Sequence, residues 1–259
     1  MRLLAICCVL LPVYAFSQSN KGIVLSDLSW VEAEKALTKE TIIVIPLGAA
    51  SKEHGPHLLL KNDLILAEYL TARVLREAEV VIAPTINYHF YPSFLEYPGS
   101  TSLRLGTARD MVVDICRSLA AYGPKKFYIL NTGISTVRAL NPARDTLAND
   151  GITMRFTDLN DISEVEDKIK QEEGGTHADE IETSMILYMR PKAVDMQKAV
   201  KDYTPNQGKG LTRNPNNKAS TYSPSGVWGD ATLASYEKGR IVTEALVELI
   251  LDDIRKMKE

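Results

Sequence analysis

Runs of apolar residues alternate with segments of helical periodicity along most of this chain. The apolar runs are nearly continuous, which is typical of strands that a sheet buries on both faces. Four such runs lie at 41–47, 79–86, 127–130 and 152–156. Apolar side chains recur at helical spacing in the segments 64–75, 111–120, 181–189 and about 231–256. This alternation predicts an α/β fold with a mainly parallel, doubly wound sheet.

The pattern breaks down between residues 203 and 225. Proline, glycine, asparagine and serine are frequent in this segment, which shows neither helical nor alternating periodicity. A loop of this length inside a compact domain usually serves a functional site or a subunit contact. We therefore expect the segment to lie at one of these two places.

Residues 1–17 have the features of a secretory signal peptide. Arg2 supplies a positive charge, Leu3–Leu11 is an apolar run too short to span a bilayer, and small residues lie near Ser17. We predict cleavage after Ser17, which leaves residues 18–259 as one domain of a secreted or periplasmic protein without further membrane attachment. The alternatives are a buried N-terminal strand and a lipoprotein anchor at an N-terminal cysteine.

The composition and net charge of the chain limit the kinds of molecule that it is expected to bind. The formal net charge is −3 and the pI is about 5.9, so the chain lacks the basic excess that is typical of nucleic-acid-binding proteins. Its 259 residues are enough to bury a large core. Without the leader, Cys116 is the one remaining cysteine, and its helical apolar surroundings predict a core side chain. We expect a soluble exported protein with no nucleic-acid partner.

The segment Ser51–His57 has the highest density of potential metal-binding and catalytic side chains in the chain. It holds Glu53 and two of the four histidines, His54 and His57, and Asp63 follows shortly after. Because the segment comes directly after the first predicted strand, it lies at the sheet edge where open α/β folds build their sites. Imidazole and carboxylate groups together suit a divalent metal such as zinc or manganese. The alternative interpretation is a polar surface turn with incidental histidines.

A second cluster lies at the start of the third predicted helix. His177 and Glu182 are five residues apart, and Asp179 and Glu180 fall in the first turn, where acidic side chains simply complement the helix dipole. Glu182 is expected on the core side, where an unpaired carboxylate is unfavourable. A metal ligand or a proton carrier is therefore predicted at Glu182.

Three further segments combine glycine with small or aromatic polar residues. Ser100 and Thr101, in Tyr97–Leu103, offer donors for a developing oxyanion, although the same pattern also fits an ordinary turn. Gly133 follows the third predicted strand, and Trp228 lies at the exit of the long loop. The sequence contains no phosphate-binding loop, dinucleotide fingerprint or nucleophile elbow.

Taken together, these segments resemble the creatininase family over nearly all of residues 18–259. The family pattern begins with a strand and Pro-Val/Leu-Gly, continues as Glu-Gln-His-Gly-Pro-His-Leu-Pro and reaches an Asp a few residues later. Here the same order reads Pro46–Gly48, Lys52–Leu58 and Asp63. The family's Phe-Pro-Gly-Thr-Thr-Ser-Leu, His-Ala-Gly-x-x-Glu-Thr-Ser, Gly-Val-x-Gly-Asp and Glu-Lys-Gly correspond to Tyr97–Leu103, His177–Ser184, Gly226–Asp230 and Glu237–Gly239. Five ordered motifs make the resemblance specific.

The resemblance implies a three-layer α/β/α sandwich, a homo-oligomer and often a hexamer, that hydrolyses a carbon–nitrogen bond of a small cyclic or linear amide. It implies two divalent ions, zinc or manganese, that share a bridging Asp and activate water. By position, His54 and Glu182 hold one ion, Asp63 bridges, and Glu53 serves the other ion. The implied catalytic residues are His177, Glu182 and Glu53. The residues predicted to contact the substrate are Ser100, Thr101, Gly133 and Trp228.

Two departures from the family pattern bear on the number of ions. The family acid lies two residues before the first His, whereas Glu53 is adjacent to His54 and reaches that place only if the loop bulges. The family has Asn-Gly-His-Gly-Gly-Asn after the third strand, with a metal-binding His, and Asn131–Thr136 here lacks it. We therefore predict one bound ion rather than two, unless His57 or His89 supplies the missing ligand. The alternative function is a catalytically silent or metal-poor ligand-binding protein with the same fold.

Overall fold

A five-stranded parallel sheet forms the centre of the protein. The computed structural model describes residues 19–205 and 208–259, so the predicted signal peptide, residues 1–17, lies outside the described part of the chain. The strand order is β1-β3-β2-β4-β5, and every pairing is parallel. The strands are β1 (Ile23–Val24), β2 (Ile42–Leu47), β3 (Val81–Ile82), β4 (Lys126–Asn131) and β5 (Thr153–Phe156). The predicted mainly parallel sheet is confirmed.

Helices cover both faces of this sheet. Within the described residues they are α1 (Trp30–Ala36), α2 (Asn62–Glu77), α3 (Leu105–Ala120), α4 (Val137–Asn149), α5 (Ser163–Asp167), α6 (Glu180–Met189) and α7 (Tyr236–Lys256). Because side chains alternate along β2, Ile42 and Val44 pack against α2, α6 and α7 in one core. Ile43 and Ile45 pack against α3 and α4 in a second core. The two cores make the predicted three-layer α/β/α sandwich.

The long helices are amphipathic, with one apolar face directed at the sheet. Helix α7 buries Val242, Leu246 and Ile250, and α3 buries a row that includes Cys116, as predicted for this thiol. Burying each large aliphatic side chain contributes about 2 kcal/mol. Of the helices in the described residues, none combines the length and the apolarity needed to cross a bilayer.

The second predicted strand is shorter than its apolar run 79–86. Strand β3 ends at Ile82, because Pro84 has no N–H to continue the ladder. Ile86 then rejoins β2 through an isolated bridge to Leu47. The run therefore contacts the central strand at two separate points.

The segment 203–225, expected to be aperiodic, contains short strands. Leu211–Thr212 (β7) pairs in parallel with Thr221–Tyr222 (β8). Next to the segment, Lys201–Asp202 (β6) pairs antiparallel with Gly229–Asp230 (β9). Strands of two residues are too short for their alternation to be visible in the sequence.

The apolar pattern does not predict α1 or α4. Helix α1 is short, and its clearest signal is a capping box in which Ser29 and Glu32 exchange hydrogen bonds. Helix α4 contains Pro142, whose ring and missing N–H disfavour a helix interior. In both cases tertiary packing completes an element that local propensity marks only weakly.

Gly239 sets how closely α6 and α7 cross. A Cβ atom at this position would overlap the carbonyl group of Ser184 in α6. We expect Gly239→Ala to force the helices apart and to lower the free energy of unfolding by about 3 kcal/mol, measured by urea denaturation. The matched control is Gly106→Ala in α3, where a Cβ meets no atom within 4 Å. The control is expected to be neutral or slightly stabilising, and equal losses in both variants would contradict the crossing argument.

Candidate metal and active site

The site lies at the carboxyl edge of the sheet, where β2 meets the first turn of α2. A Cβ atom at Gly48 would overlap the backbone of Asp63, so glycine permits this close approach. The N-cap of α2 is Lys61, which makes no side-chain capping bond. Asp63 lies in the first turn of α2 and does not cap the helix. Its carboxylate contacts the loop that follows β2.

His54 lies between two carboxylates. Its Nδ1 lies 2.9 Å from the Lys52 carbonyl oxygen, and its Nε2 lies 2.7 Å from Asp63 Oδ1 and 3.3 Å from Glu182 Oε1. Burial and the nearby Lys52 ammonium disfavour a charge here, but Asp63 and Glu182 outweigh them and raise the pKa of His54 to about 9. His54 therefore carries a proton between the two acids at neutral pH.

The start of α6 brings Glu182 and His177 to the same place. Asp179 caps the helix by accepting the Glu182 N–H at 2.8 Å, and Glu182 Oε2 accepts the Ala178 N–H at 2.7 Å. Ala178 adopts a positive φ of 49° at this turn. Burial disfavours the charged form of Glu182, yet His54 and His177 hold the pKa of this carboxyl well below its usual range. Glu182 is therefore an anion that faces two imidazoles.

Three side chains form a group with metal-binding geometry. One ligand atom each from His54, His177 and Glu182 lies within 4.8 Å of the others. Two imidazoles and one carboxylate are a donor set that zinc and manganese accept. Of the residues predicted as ligands, the structure brings His54, Glu182 and Asp63 together. The structure adds His177 to this group, a residue for which the family resemblance implies a catalytic role.

Glu53 lies on the other side of His177. Its Oε2 is 3.1 Å from His177 Nε2, and the same imidazole nitrogen is 3.0 Å from the Glu53 carbonyl oxygen. The Glu53 carboxylate also accepts the Gly55 N–H. Glu53 is thus placed to orient His177, and its role at a second ion stays a prediction.

Ser100 and Thr101 support the loop that carries the ligands. The Glu53 N–H donates to Ser100 Oγ at 2.9 Å, and Thr101 donates through its N–H and its hydroxyl to the Ser51 carbonyl oxygen. Neither residue lines the cavity next to the site. The structure therefore gives both residues a positioning contact, and their contact with substrate stays a prediction.

Lys52 is the residue of the site that sequence reasoning missed. Its side chain is buried, and its Nζ lies 2.8 Å from Asp63 Oδ2 and 4.9 Å from the centroid of the Phe94 ring. Burial lowers the pKa of Lys52, but Asp63, Glu182 and Glu53 outweigh burial and raise it above its ordinary value. One signal was available in the sequence, because Lys52 lies two residues before His54, where the family pattern has an acid.

The end of β4 supplies backbone and hydroxyl groups in place of a metal ligand. Thr132 donates its hydroxyl to the Leu47 carbonyl oxygen at 3.0 Å, and Asn131 donates to the carbonyl oxygen of Gly133 at 2.8 Å. His57 and His89 do not replace the missing imidazole. The Nε2 of His57 is 2.8 Å from Thr183 Oγ1, and His89 is buried outside the ligand group. Burial lowers the pKa of both imidazoles to about 4.

A cavity of about 470 Å³ opens next to the ligand group. This volume is in the range of sites that hold small molecules. Its wall includes Lys52, Gly133, His177, Glu182 and Trp228. Gly133 and Trp228 thus lie where a substrate contact was predicted, and Trp228 is fixed by a backbone bridge to His177. Parts of the long loop also line the cavity, which agrees with the expectation that this segment lies at a site.

A family model settles the relationship of this chain. The model described as Creatininase, creatinine amidohydrolase, matches residues 26–254. The chain belongs to the creatininase family. A creatinine amidohydrolase from Pseudomonas putida is 26% identical over 92% of this chain and 98% of its own length. A 3-dehydro-scyllo-inosose hydrolase from Thermotoga maritima is also 26% identical, over 92% of this chain and 84% of its own length.

Solved structures of the family have the same fold. A crystal structure of creatinine amidohydrolase matches with a TM-score of 0.72 and 25% identity, over 90% of this chain and 96% of that one. A manganese form of creatininase matches with a TM-score of 0.74 and 24% identity, over 91% and 98% of the two chains. A zinc form of a creatininase variant matches with a TM-score of 0.72 and 24% identity, over 90% and 97%.

These matches confirm the predicted family, fold class and class of enzyme, an amidohydrolase. The predicted cofactor, zinc or manganese, agrees with the metal forms of the solved creatininases. The roles of individual residues and the number of ions stay predictions.

Proposed function

We propose that this protein is an exported, metal-dependent amidohydrolase that cleaves a carbon–nitrogen bond of a small cyclic or linear amide. The observation that carries the proposal is the convergence of His54, His177 and Glu182 beside a cavity of about 470 Å³. Its second support is membership in a family that includes a creatinine amidohydrolase.

The donor groups fit a divalent ion. In the structure His54 Nε2 lies between the Asp63 and Glu182 carboxylates, and a cation at the same place would meet two anions and, after loss of any proton, the imidazole nitrogen. Two carboxylates around one buried imidazole nitrogen make a position that favours positive charge. A bound zinc or manganese ion would polarise a carbonyl group and make a water molecule more acidic.

His177 is placed to move a proton during the reaction. Its Nε2 faces Glu53, its Nδ1 lies 3.7 Å from Glu182 Oε2, and its ring lines the cavity. Contact with an acid at each nitrogen lets the imidazole receive a proton at one side while it stays oriented at the other. In this role His177 would take the proton that the attacking water loses and deliver it to the leaving nitrogen of the amide, while His54, Asp63 and Glu182 would hold the ion.

The cavity walls indicate more about the kind of substrate than family membership does. The relatives include a creatinine amidohydrolase, a 3-dehydro-scyllo-inosose hydrolase and mycofactocin precursor peptide peptidases, so family membership alone does not choose the substrate. The cavity walls combine Lys52 and acidic groups with Phe94 and Trp228. Such a wall favours a compact, partly polar ligand with one flat or apolar side.

A binding protein without catalysis is the second candidate function. The observation that favours it is the replacement of one expected ligand by Gly133 and the presence of Lys52 next to Asp63. A chain with these changes would keep the pocket while it loses part of its metal affinity.

Metal removal separates the two functions. A panel of lactams, cyclic ureas and N-formyl amides is offered to the protein with zinc or manganese, and again after dialysis against a chelator. We expect hydrolysis of at least one member, its loss after chelation and its return when the metal is restored. Hydrolysis that persists in the metal-free protein would contradict a metal-dependent mechanism. Binding of a panel member without turnover would favour the second function.

Export and assembly are also part of the proposal. Export is supported by the composition of residues 1–17, and a homo-oligomer by the family pattern stated above. N-terminal sequencing of the protein from its native host checks the first, since export predicts a chain that begins at Gln18. Size-exclusion chromatography with light scattering checks the second.

A further inference from the structure

We infer that the Lys52 ammonium occupies the place of a second cation, so that this site takes one divalent ion and one fixed lysine charge. The inference rests on the proposed metal-dependent function. It concerns this chain's own residues, and it explains why a family site with two ions would here hold one.

The Asp63 carboxylate shows the substitution most directly. Its Oδ1 contacts His54 Nε2 at 2.7 Å, and its Oδ2 contacts Lys52 Nζ at 2.8 Å. A bridging carboxylate gives one oxygen to each of two cations. Here the second oxygen already has a cation, so a divalent ion on that side would have to displace a buried ammonium.

The surroundings of Lys52 hold its ammonium in place. Only 7% of the side chain is exposed, and its Nζ faces the rings of Phe94 and Tyr91 at 4.9 and 5.7 Å from their centroids. Aromatic faces stabilise an organic cation but offer no lone pairs of the kind that zinc or manganese needs. The walls on this side of Asp63 therefore suit an ammonium better than a metal.

The neighbouring positions also lack metal ligands. Gly133, at the end of β4, has no side chain, and Thr132 uses its hydroxyl on backbone carbonyl oxygens. Glu53 faces His177. Within the described residues, the group with metal-binding geometry is the one on the opposite side of Asp63, at His54, His177 and Glu182.

An ammonium differs from a metal ion in what it can do for a substrate. It supplies positive charge and N–H donors, but it has no open coordination position at which to activate water. Because Lys52 lines the cavity, its free N–H groups can hold a carbonyl or carboxylate oxygen of the ligand. Lys52 would thus orient the substrate while water activation stays on the other side of Asp63.

The test counts bound ions. Wild type, Lys52→Glu, Lys52→Met and the exposed control Lys39→Met are equilibrated with zinc or manganese, and bound ions are measured by elemental analysis and calorimetric titration. We expect one ion per chain in the wild type and in Lys39→Met. Lys52→Glu should bind a second ion, because a ligand replaces the ammonium. Lys52→Met should bind one ion about tenfold more tightly, because a neighbouring positive charge is gone.

If the wild type binds two ions tightly, the inference is overturned by that measurement alone. The test therefore remains decisive even if a variant misfolds. A folded Lys52→Glu that still binds one ion, or a Lys52→Met with unchanged affinity, would also overturn it and would give Lys52 a purely structural role. Both results leave the proposed metal-dependent function intact. A wild type that binds no ion at all defeats that function, and the inference fails with it.

Discussion

Replacing His54 with alanine is expected to abolish the thermal stabilisation that zinc or manganese gives the wild type. At a metal concentration of about 100 times the dissociation constant, binding stabilises a folded protein by about 2.7 kcal/mol. For a chain of this size that gain corresponds to a rise in Tm of about 5–10 °C. His54 supplies a buried imidazole nitrogen between two acids, and alanine offers no replacement. The variant should therefore melt at the same temperature with and without metal.

His57→Gln is the matched control for this experiment. His57 belongs to the same loop, is buried and contacts Thr183, but it does not join the ligand group. Glutamine keeps a hydrogen-bonding group near Thr183, so most of the shift with metal should remain. A shift retained by His54→Ala, or lost equally in both variants, would place the ion elsewhere. The comparison is made by differential scanning calorimetry with and without each metal.

Glu182→Gln is expected to reduce kcat/KM for the best amide of the panel by at least about 100-fold, the upper end of the loss seen when even outer contacts of a metal site are removed. Glutamine keeps the volume and can still accept the Ala178 N–H. It removes the negative charge that faces His54 and His177. The change thus acts on the electrostatics of the site while the turn that begins α6 is kept.

Metal affinity separates this explanation from a general loss of structure. Calorimetric titration should show weaker zinc binding by Glu182→Gln, whereas far-UV circular dichroism should be unchanged. The control is Glu173→Gln, because Glu173 is exposed and pairs only at the surface with Lys201. If Glu182→Gln keeps wild-type turnover and affinity, Glu182 does not hold the ion.

Much of the architecture could be predicted because it follows from local periodicity. The run 41–47 is apolar at nearly every position, so it had to be buried on both faces, and it is the central strand β2. Helices α3 and α7 have apolar rows at helical spacing, and their positions agree with the prediction. Elements whose stability comes from packing were not visible in this way, such as the short α1 and α4, which has Pro142 in its interior.

The candidate site was also predictable only in part. The sequence predicted the chemical types of four site residues and their order along the chain. Each of them lies in a motif at the start or end of a predicted element: His54, Asp63, His177 and Glu182. However, the number of residues between them does not give the distances between their side chains. Only the fold shows that Glu53 turns to His177 and not to Asp63.

Lys52 shows most clearly what the tertiary structure decides. In the sequence it is one of 30 basic residues, and lysine is usually a solvated surface side chain. Its meaning depends on a buried carboxylate eleven residues later and on two aromatic rings that a different loop delivers. Periodicity and motif determine which groups the chain brings to the sheet edge. The three-dimensional packing determines which charges meet there, because electrostatic energy depends on distance and burial and not on sequence order.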